Sequence, residues 1–246
     1  MILSIQSQVV YGCVGNQAAS HVAHILDKKI ACIPTGLFSN HKGHKHYTVS
    51  PVDILLLVEG LKLNGLFPNA FDTLLIGFLG TVEIAKVVFE IASELKELNP
   101  KCILILDPVM GDNARLYVDD LLVDFYKNHF YPIADIVVPN EYEDKWMSSA
   151  VDPLFKIITS RSISDTELGL EVISKNRRQM IPFPEIKGSF CGTGDIFAAI
   201  LACTLKELTF DAILESCHFA INSLQNILKD NLNQLDLTIK TCHLSK

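Results

Sequence analysis

Apolar residues along this chain alternate between short continuous runs and stretches where they recur every three or four positions. Ile2–Ser4 is the first run. In Asn16–Leu26 the residues Ala19, Val22, Ala23 and Leu26 share one face, which predicts a helix. Ile30–Thr35 reads as a second strand, Pro51–Leu63 as a helix, Thr73–Gly77 as a strand and Val82–Leu98 as a helix. Lys101–Leu106, with CILIL at its centre, is the clearest buried strand. Asp119–Asn128 is helical, Asp135–Val138 and Phe155–Thr159 are strands, and Thr193–Leu205 and Phe210–Leu228 are the last two helices. Nearly continuous apolar strands separated by helices predict an α/β fold, a mostly parallel central sheet with helices on both faces. No internal repeat, low-complexity tract or linker interrupts the pattern, so residues 1–246 read as a single domain. One connection is meagre. Only the 16 residues Pro139–Leu154 separate two strands, which leaves a crossover helix two turns at most.

Composition narrows the function classes. The chain is 49% hydrophobic and 20% charged, with a net charge of −7. An acidic balance argues against a protein that grips nucleic-acid backbones, so an anionic ligand must be met by a local device. Seven cysteines, an odd number with no CxxC pair, argue against a disulfide framework or zinc site and predict a reducing, cytoplasmic setting. The start, MILSIQSQ, lacks a basic n-region and a long apolar run, so no signal peptide is expected. No apolar stretch is long enough to predict a membrane span.

Five segments carry candidate chemistry. Cys191-Gly192-Thr193-Gly194-Asp195 precedes the small-residue helix IFAAILA. Such glycines let backbone N–H groups converge at a helix N-terminus, an anion hole with a carboxylate at its lip. Asp195 could then take a proton from an alcohol while the N–H groups neutralise a transferring phosphoryl group. The plain alternative is a glycine turn whose acidic residue complements the helix dipole. Asp107 and Asp112, in LDPVMGD, stand at the carboxyl end of a buried strand, where α/β sheets bind ligands. They could face a Mg²⁺–phosphate cluster or form a polar turn. In PNEYE, Asn140 and Glu143 have the spacing of a capping box, or could orient metal-bound waters. SQVVYGCVGN, Ser7–Asn16, fits neither GxGxxG nor a phosphate-binding P-loop. FSNHKGHKH offers His41, His44 and His46, in no zinc-like spacing, and reads as a polar flap over a ligand.

Taken in order, Ser7–Asn16, Phe38–His41 (FSNH), Asp107–Asp112, Pro139–Glu143, Ile158–Ser160 (ITS) and Gly192–Ala199 (GTGD with IFAA) resemble the pyridoxal kinase family of the ribokinase-like superfamily. The resemblance implies a ribokinase-like fold and transfer of the ATP γ-phosphate to the hydroxymethyl group of pyridoxal, pyridoxine or pyridoxamine. It implies Asp195 as catalytic base and Gly192, Thr193 and Gly194 as anion hole. Ser7, His41, Lys42, Phe78 and Asp195 would meet the substrate. Asp107, Asp112, Asn140, Glu143, Thr159, Ser160 and the Gly192–Gly194 turn would serve the nucleotide, with Asp107, Asp112 and Glu143 on the metal. It also implies Mg²⁺, a monovalent cation (K⁺ or Na⁺) and a homodimer. Cys13, Lys42 and Phe78 depart from the residues usual in the family. The chain is also several tens of residues shorter, with the shortfall after Asp112, after Glu143 and after Lys229; omitted segments would show as breaks in Cα spacing near Asn113, Ser149 and Asp230. The alternatives are a hydroxymethylpyrimidine or sugar kinase of the same superfamily, and a non-catalytic B6-binding protein.

Overall fold

The computed structural model describes residues 1–40, 45–112, 115–147, 152–188 and 190–230. In chain order the elements are β1 (Ile2–Tyr11), α1 (Gly15–Ile25), β2 (Ile30–Asn40), β3 (His46–Thr48), α2 (Pro51–Leu63), β4 (Thr73–Ile76), α3 (Val82–Leu98) and β5 (Ile103–Leu106). Next come the two-residue strands β6 (Gly111–Asp112) and β7 (Arg115–Leu116), then α4 (Asp120–Phe125), α5 (Tyr131–Ile133), β8 (Ile136–Val137) and α6 (Glu141–Met147). The chain continues through β9 (Phe155–Ser164), β10 (Glu167–Ser174), β11 (Arg178–Pro184), α7 (Thr193–Thr204) and α8 (Phe210–Asp230). Among the described residues nine strands form one sheet in the order β11-β10-β9-β8-β5-β4-β1-β2-β3, and β6 pairs separately with β7. From β9 through β8, β5, β4 and β1 to β2 every pairing is parallel; β3, β10 and β11 add antiparallel edges.

Side-chain alternation divides the core into two layers. Ile2, Leu75, Ile103 and Ile105 face one way, onto α1, α7 and α8, while Leu3, Leu74, Leu104 and Leu106 face α2, α3 and α4. This period of two, with both faces covered, is why the central strands read as unbroken apolar runs. Local chemistry fixes two helix starts. Ser50 and Asp53 form a capping box ahead of Pro51, and the Thr81 hydroxyl accepts the Ile84 N–H at 3.3 Å.

The structure corrects the sequence reading at three places and bears out the short Pro139–Leu154 crossover helix. β1 runs to Tyr11, not Ser4, because after a register break between Gln6 and Gln8 it stays paired with β2, which itself reaches Asn40. β9 continues to Ser164 and is followed by the hairpin β10–β11, which the sequence reading passed over. The predicted helix Asp119–Asn128 divides into α4, a π-helical turn at Tyr126–Phe130, and α5. The Pro139–Leu154 connection carries the seven-residue α6. At the positions where the shortfall against the family was expected, residues 113–114, 148–151 and 231–246 lie outside the described residues.

Candidate active site

The site gathers at the carboxyl ends of β1, β4, β5 and β8, closed by the start of α7. The turn into α7 has at Gly192 a conformation that only glycine takes freely. Gly192 caps α7 with φ +85° and no side-chain cap, so the first N–H groups of the helix have no capping side chain. A side-chain carbon at Gly192 would lie 2.0 Å from the Cys13 carbonyl oxygen, so this turn and the loop after β1 touch backbone to backbone. Asp195 sits in that contact, in the first turn of α7. Its carboxylate accepts N–H bonds from Gly15 and from its own backbone.

Burial dominates the electrostatics. Desolvation outweighs the two N–H bonds and raises the Asp195 pKa to about 6. Asp107, 8% exposed at the end of β5, is pushed well above the carboxylate range by burial and then by the neighbouring charges of Glu143 and Asp195. Its Oδ2 approaches the anion turn, 3.8 Å from where a side-chain carbon on Gly194 would stand. Burial pushes the Cys13 thiol up to about 12, with the charge of Asp195 adding to it; Cys13 is therefore a protonated wall residue, not a nucleophile. A role for Asp195 as base requires its ionised form, and in that role kcat/KM should fall about tenfold per pH unit once pH drops below about 6. A profile that stays flat down to pH 5 would remove Asp195 from that role.

Asn140 and Glu143 form the capping arrangement the spacing allows, and more. The Asn140 side-chain oxygen accepts the N–H groups of Tyr142 and Glu143, both at 2.9 Å, and its amide donates to the Gly111 carbonyl at 2.8 Å. The Glu143 carboxylate accepts the Asn140 N–H at 2.9 Å and the N–H groups of Met110 and Gly111 at 2.7 and 3.2 Å. Three backbone donors thus engage the two oxygens of Glu143, and it holds the Met110–Gly111 turn. Among the described residues no group of three or more His, Cys, Asp and Glu could hold a metal ion.

The remaining expected residues fall around this centre. Ser7 lies at the register break of β1, buried, with its oxygens against Gly15. Phe78 follows β4 and meets Phe38 edge-on at 6.1 Å, while Phe38 stacks on His46 at 5.7 Å. Thr35 Oγ donates to the Phe78 carbonyl at 2.6 Å and holds that segment. Asp112 is exposed on β6 opposite Arg115. Thr159 bridges to Asn140, its N–H donating to the Pro139 carbonyl at 2.9 Å, and Ser160 beside it takes φ +57°. His41 and Lys42 lie outside the described residues. The sequence reading missed Tyr117, which follows β7 and feels the charges of Glu143, Asp107, Asp112 and Asp195 after the larger effect of burial; together they push its phenol far up.

A desolvated carboxylate beside a glycine turn at a helix start, facing strand-end carboxylates on a parallel sheet, suits a ribokinase-like phosphotransferase. No model of a known protein family matches the chain. A Schizosaccharomyces pombe protein named as a pyridoxal kinase is 30% identical over 271 aligned positions, which span 95% of this chain and 86% of that protein. That alignment is longer than this chain, so the yeast protein carries residues with no counterpart here. Human pyridoxal kinase is 29% identical, over 93% of this chain and 84% of its own length. A solved pyridoxal kinase of Leishmania donovani, in complex with ADP and pyridoxamine, superimposes with a TM-score of 0.87 at 26% identity, over 97% of this chain and 92% of that one. The chain belongs to the pyridoxal kinase family.

Proposed function

We propose that this chain, as one kinase domain, transfers the γ-phosphate of ATP to the hydroxymethyl group of pyridoxal, pyridoxine and pyridoxamine. The observation that carries the reading is the Asp195 carboxylate, desolvated and fixed by the Gly15 N–H at the mouth of the Gly192–Gly194 turn. Asp195 removes the hydroxyl proton as the oxygen attacks, and the N–H groups of Gly192, Thr193 and Gly194 meet the charge on the transferring phosphoryl group. The aromatic group of Phe38 and Phe78, with Ser7, His41 and Lys42, is assigned to the vitamer; Asp112, Asn140, Thr159, Ser160 and Tyr117 are assigned to the nucleotide side, where Glu143 shapes the turn. Mg²⁺ would be held by Asp107 and Asp112 together with the nucleotide phosphates, which suits an ion that takes one or two carboxylates and neutralises phosphate charge. A monovalent cation, K⁺ or Na⁺, completes the set that the family resemblance implies.

An ATP-dependent phosphorylation assay across pyridoxal, pyridoxine, hydroxymethylpyrimidine and ribose tests the reading. Turnover confined to the B6 vitamers supports it; preference for either other substrate assigns a sister kinase, and vitamer binding without turnover assigns a binding protein. A homodimer is the proposed assembly. Helix α2 is apolar nearly all round and leaves Val52, Leu56 and Leu63 at least 58% exposed, a surface that a second copy would cover. A monomeric mass by sedimentation at micromolar concentration would remove it. We place the chain in the cytoplasm on its cysteine content, an odd number with no CxxC pair; among the described residues no helix is long and apolar enough to cross a membrane.

A further inference from the structure

Beside the nucleotide side lies an ion-pair cluster that the mechanism leaves unused. Glu171 is a buried carboxylate in the middle of β10, 6% exposed, where an apolar residue would be expected. Arg161 Nε on β9 stands 2.6 Å from its Oε2, and Arg178 Nε on β11 stands 3.2 Å from its Oε1. The two arginines differ in what else they reach. The far end of the Arg161 guanidinium points at α6, with Nη1 3.8 Å from Glu141 and Nη2 3.6 Å from Asp144. Asp144 is also held by Lys156 of β9 at 2.9 Å, and the Ser162 N–H donates to Glu141 at 3.4 Å. Arg178 is largely exposed and pairs with Glu171.

The location gives the cluster its meaning. Arg161 directly follows Thr159 and Ser160, where β9 carries one residue more than β10 between the pairs Ile158–Glu171 and Arg161–Gly169. At that bulge Ser160 takes φ +57°, a backbone conformation that costs energy for a residue other than glycine. On its other side α6 begins with the Asn140–Glu143 cap, which grips the Met110–Gly111 turn. The guanidinium therefore stands between both nucleotide-side segments and ties each to the buried Glu171.

We propose that Arg161 is a positioning residue for the nucleotide: anchored on Glu171, it sets α6 against the β9 bulge and so fixes Thr159, Ser160 and Asn140 relative to one another. The inference rests on the assignment of those three residues to the nucleotide. A planar guanidinium can meet three carboxylates in one plane, which a lysine ammonium cannot. Arg161→Met should raise the KM for ATP on the order of tenfold, because small displacements of positioning groups are costly, and leave the KM for pyridoxal within about twofold. Arg178→Met, which keeps the Arg161 link to α6, should leave both constants within about twofold, and Arg161→Lys should fall between wild type and Arg161→Met. Should Arg161→Met fail to fold, Glu141→Gln with Asp144→Asn cuts the link to α6 while sparing the Glu171 pair, and should raise the ATP KM alone. An unchanged ATP KM, or equal rises for ATP and pyridoxal in the Arg161 and Arg178 variants alike, would overturn the proposal. Absence of turnover in the wild-type chain would instead overturn the kinase reading, so the two failures are distinct.

Discussion

Asp195→Asn should lower kcat by at least about 10²-fold, since a positioned general base typically contributes 10²–10⁴. The substitution is nearly isosteric. Its amide oxygen can still accept the Gly15 N–H, so the start of α7 and the anion turn keep their geometry. What disappears is basicity. In the wild type a desolvated carboxylate with a pKa of about 6 is ionised at neutral pH yet has gained proton affinity over an exposed aspartate. Pyridoxal affinity, read by calorimetry on the variant, should change by less than about threefold, because a base acts on the transition state and little on the bound alcohol. Stability should move the opposite way. The folded-state pKa of Asp195 lies above its unfolded value, so ionisation of this group costs stability as pH rises from about 4 through about 6. At pH 8 the neutral variant should therefore melt no lower than the wild type. Near-normal turnover in Asp195→Asn would move the proton to another acceptor, and Asp107 is the next carboxylate in reach of the turn.

How much of this was legible in the sequence depended on whether the determinant was local. The helices beginning at Pro51 and Val82 were bounded correctly because their starts are written in adjacent residues, Ser50-Pro51 with Asp53 and Thr81 ahead of Ile84. The GTGD turn could be read for the same reason: glycines followed by a small-residue helix specify a backbone shape nearly alone. Ser7–Tyr11 could not. Gln, Ser and a nearby glycine look like a loop, and only pairing with Leu37–Asn40 across the register break keeps that stretch extended. The β10–β11 hairpin did leave a signal, Leu168, Leu170 and Val172 at period two with Glu171 in the polar place of the alternation; what no pattern shows is that Glu171 is buried. Within the site, the Asn140–Glu143 cap was visible as spacing. The second task of Glu143, gripping Met110 and Gly111, joins residues 32 and 33 positions apart and needs the fold to bring them together. Tyr117 was missed because it enters beside the carboxylates through the short β6–β7 ladder, which two-residue strands cannot announce.

Gly192→Ala should cost both activity and stability, for reasons that can be separated. The backbone at φ +85° lies in the left-handed region, where an L-residue pays about 1–2 kcal/mol. The added methyl would also sit 2.0 Å from the Cys13 carbonyl oxygen and 3.2 Å from the Val14 side chain, so the turn or the loop after β1 must retreat. That loop leads into Gly15, whose N–H holds Asp195. Separating the two segments therefore displaces the base from the anion hole, and a misplacement near 1 Å is worth about 10²-fold in rate. The expected variant folds, loses at least about 10²-fold in kcat, and melts about 4–8 °C lower if the cost is near 2 kcal/mol. Gly194→Ala is the informative contrast. At that position the nearest atom to the new methyl is Asp107 Oδ2 at 3.8 Å, an ordinary contact, and the backbone is not left-handed. It should keep the wild-type melting temperature and lose turnover only because the methyl occupies space meant for the phosphoryl group. If Gly192→Ala kept wild-type melting and turnover, the backbone contact between Cys13 and Gly192 would not be what aligns base and anion hole. Loss of stability in Gly194→Ala as well would mean that the whole turn, and not its contact with Cys13, sets the stability of this end of α7.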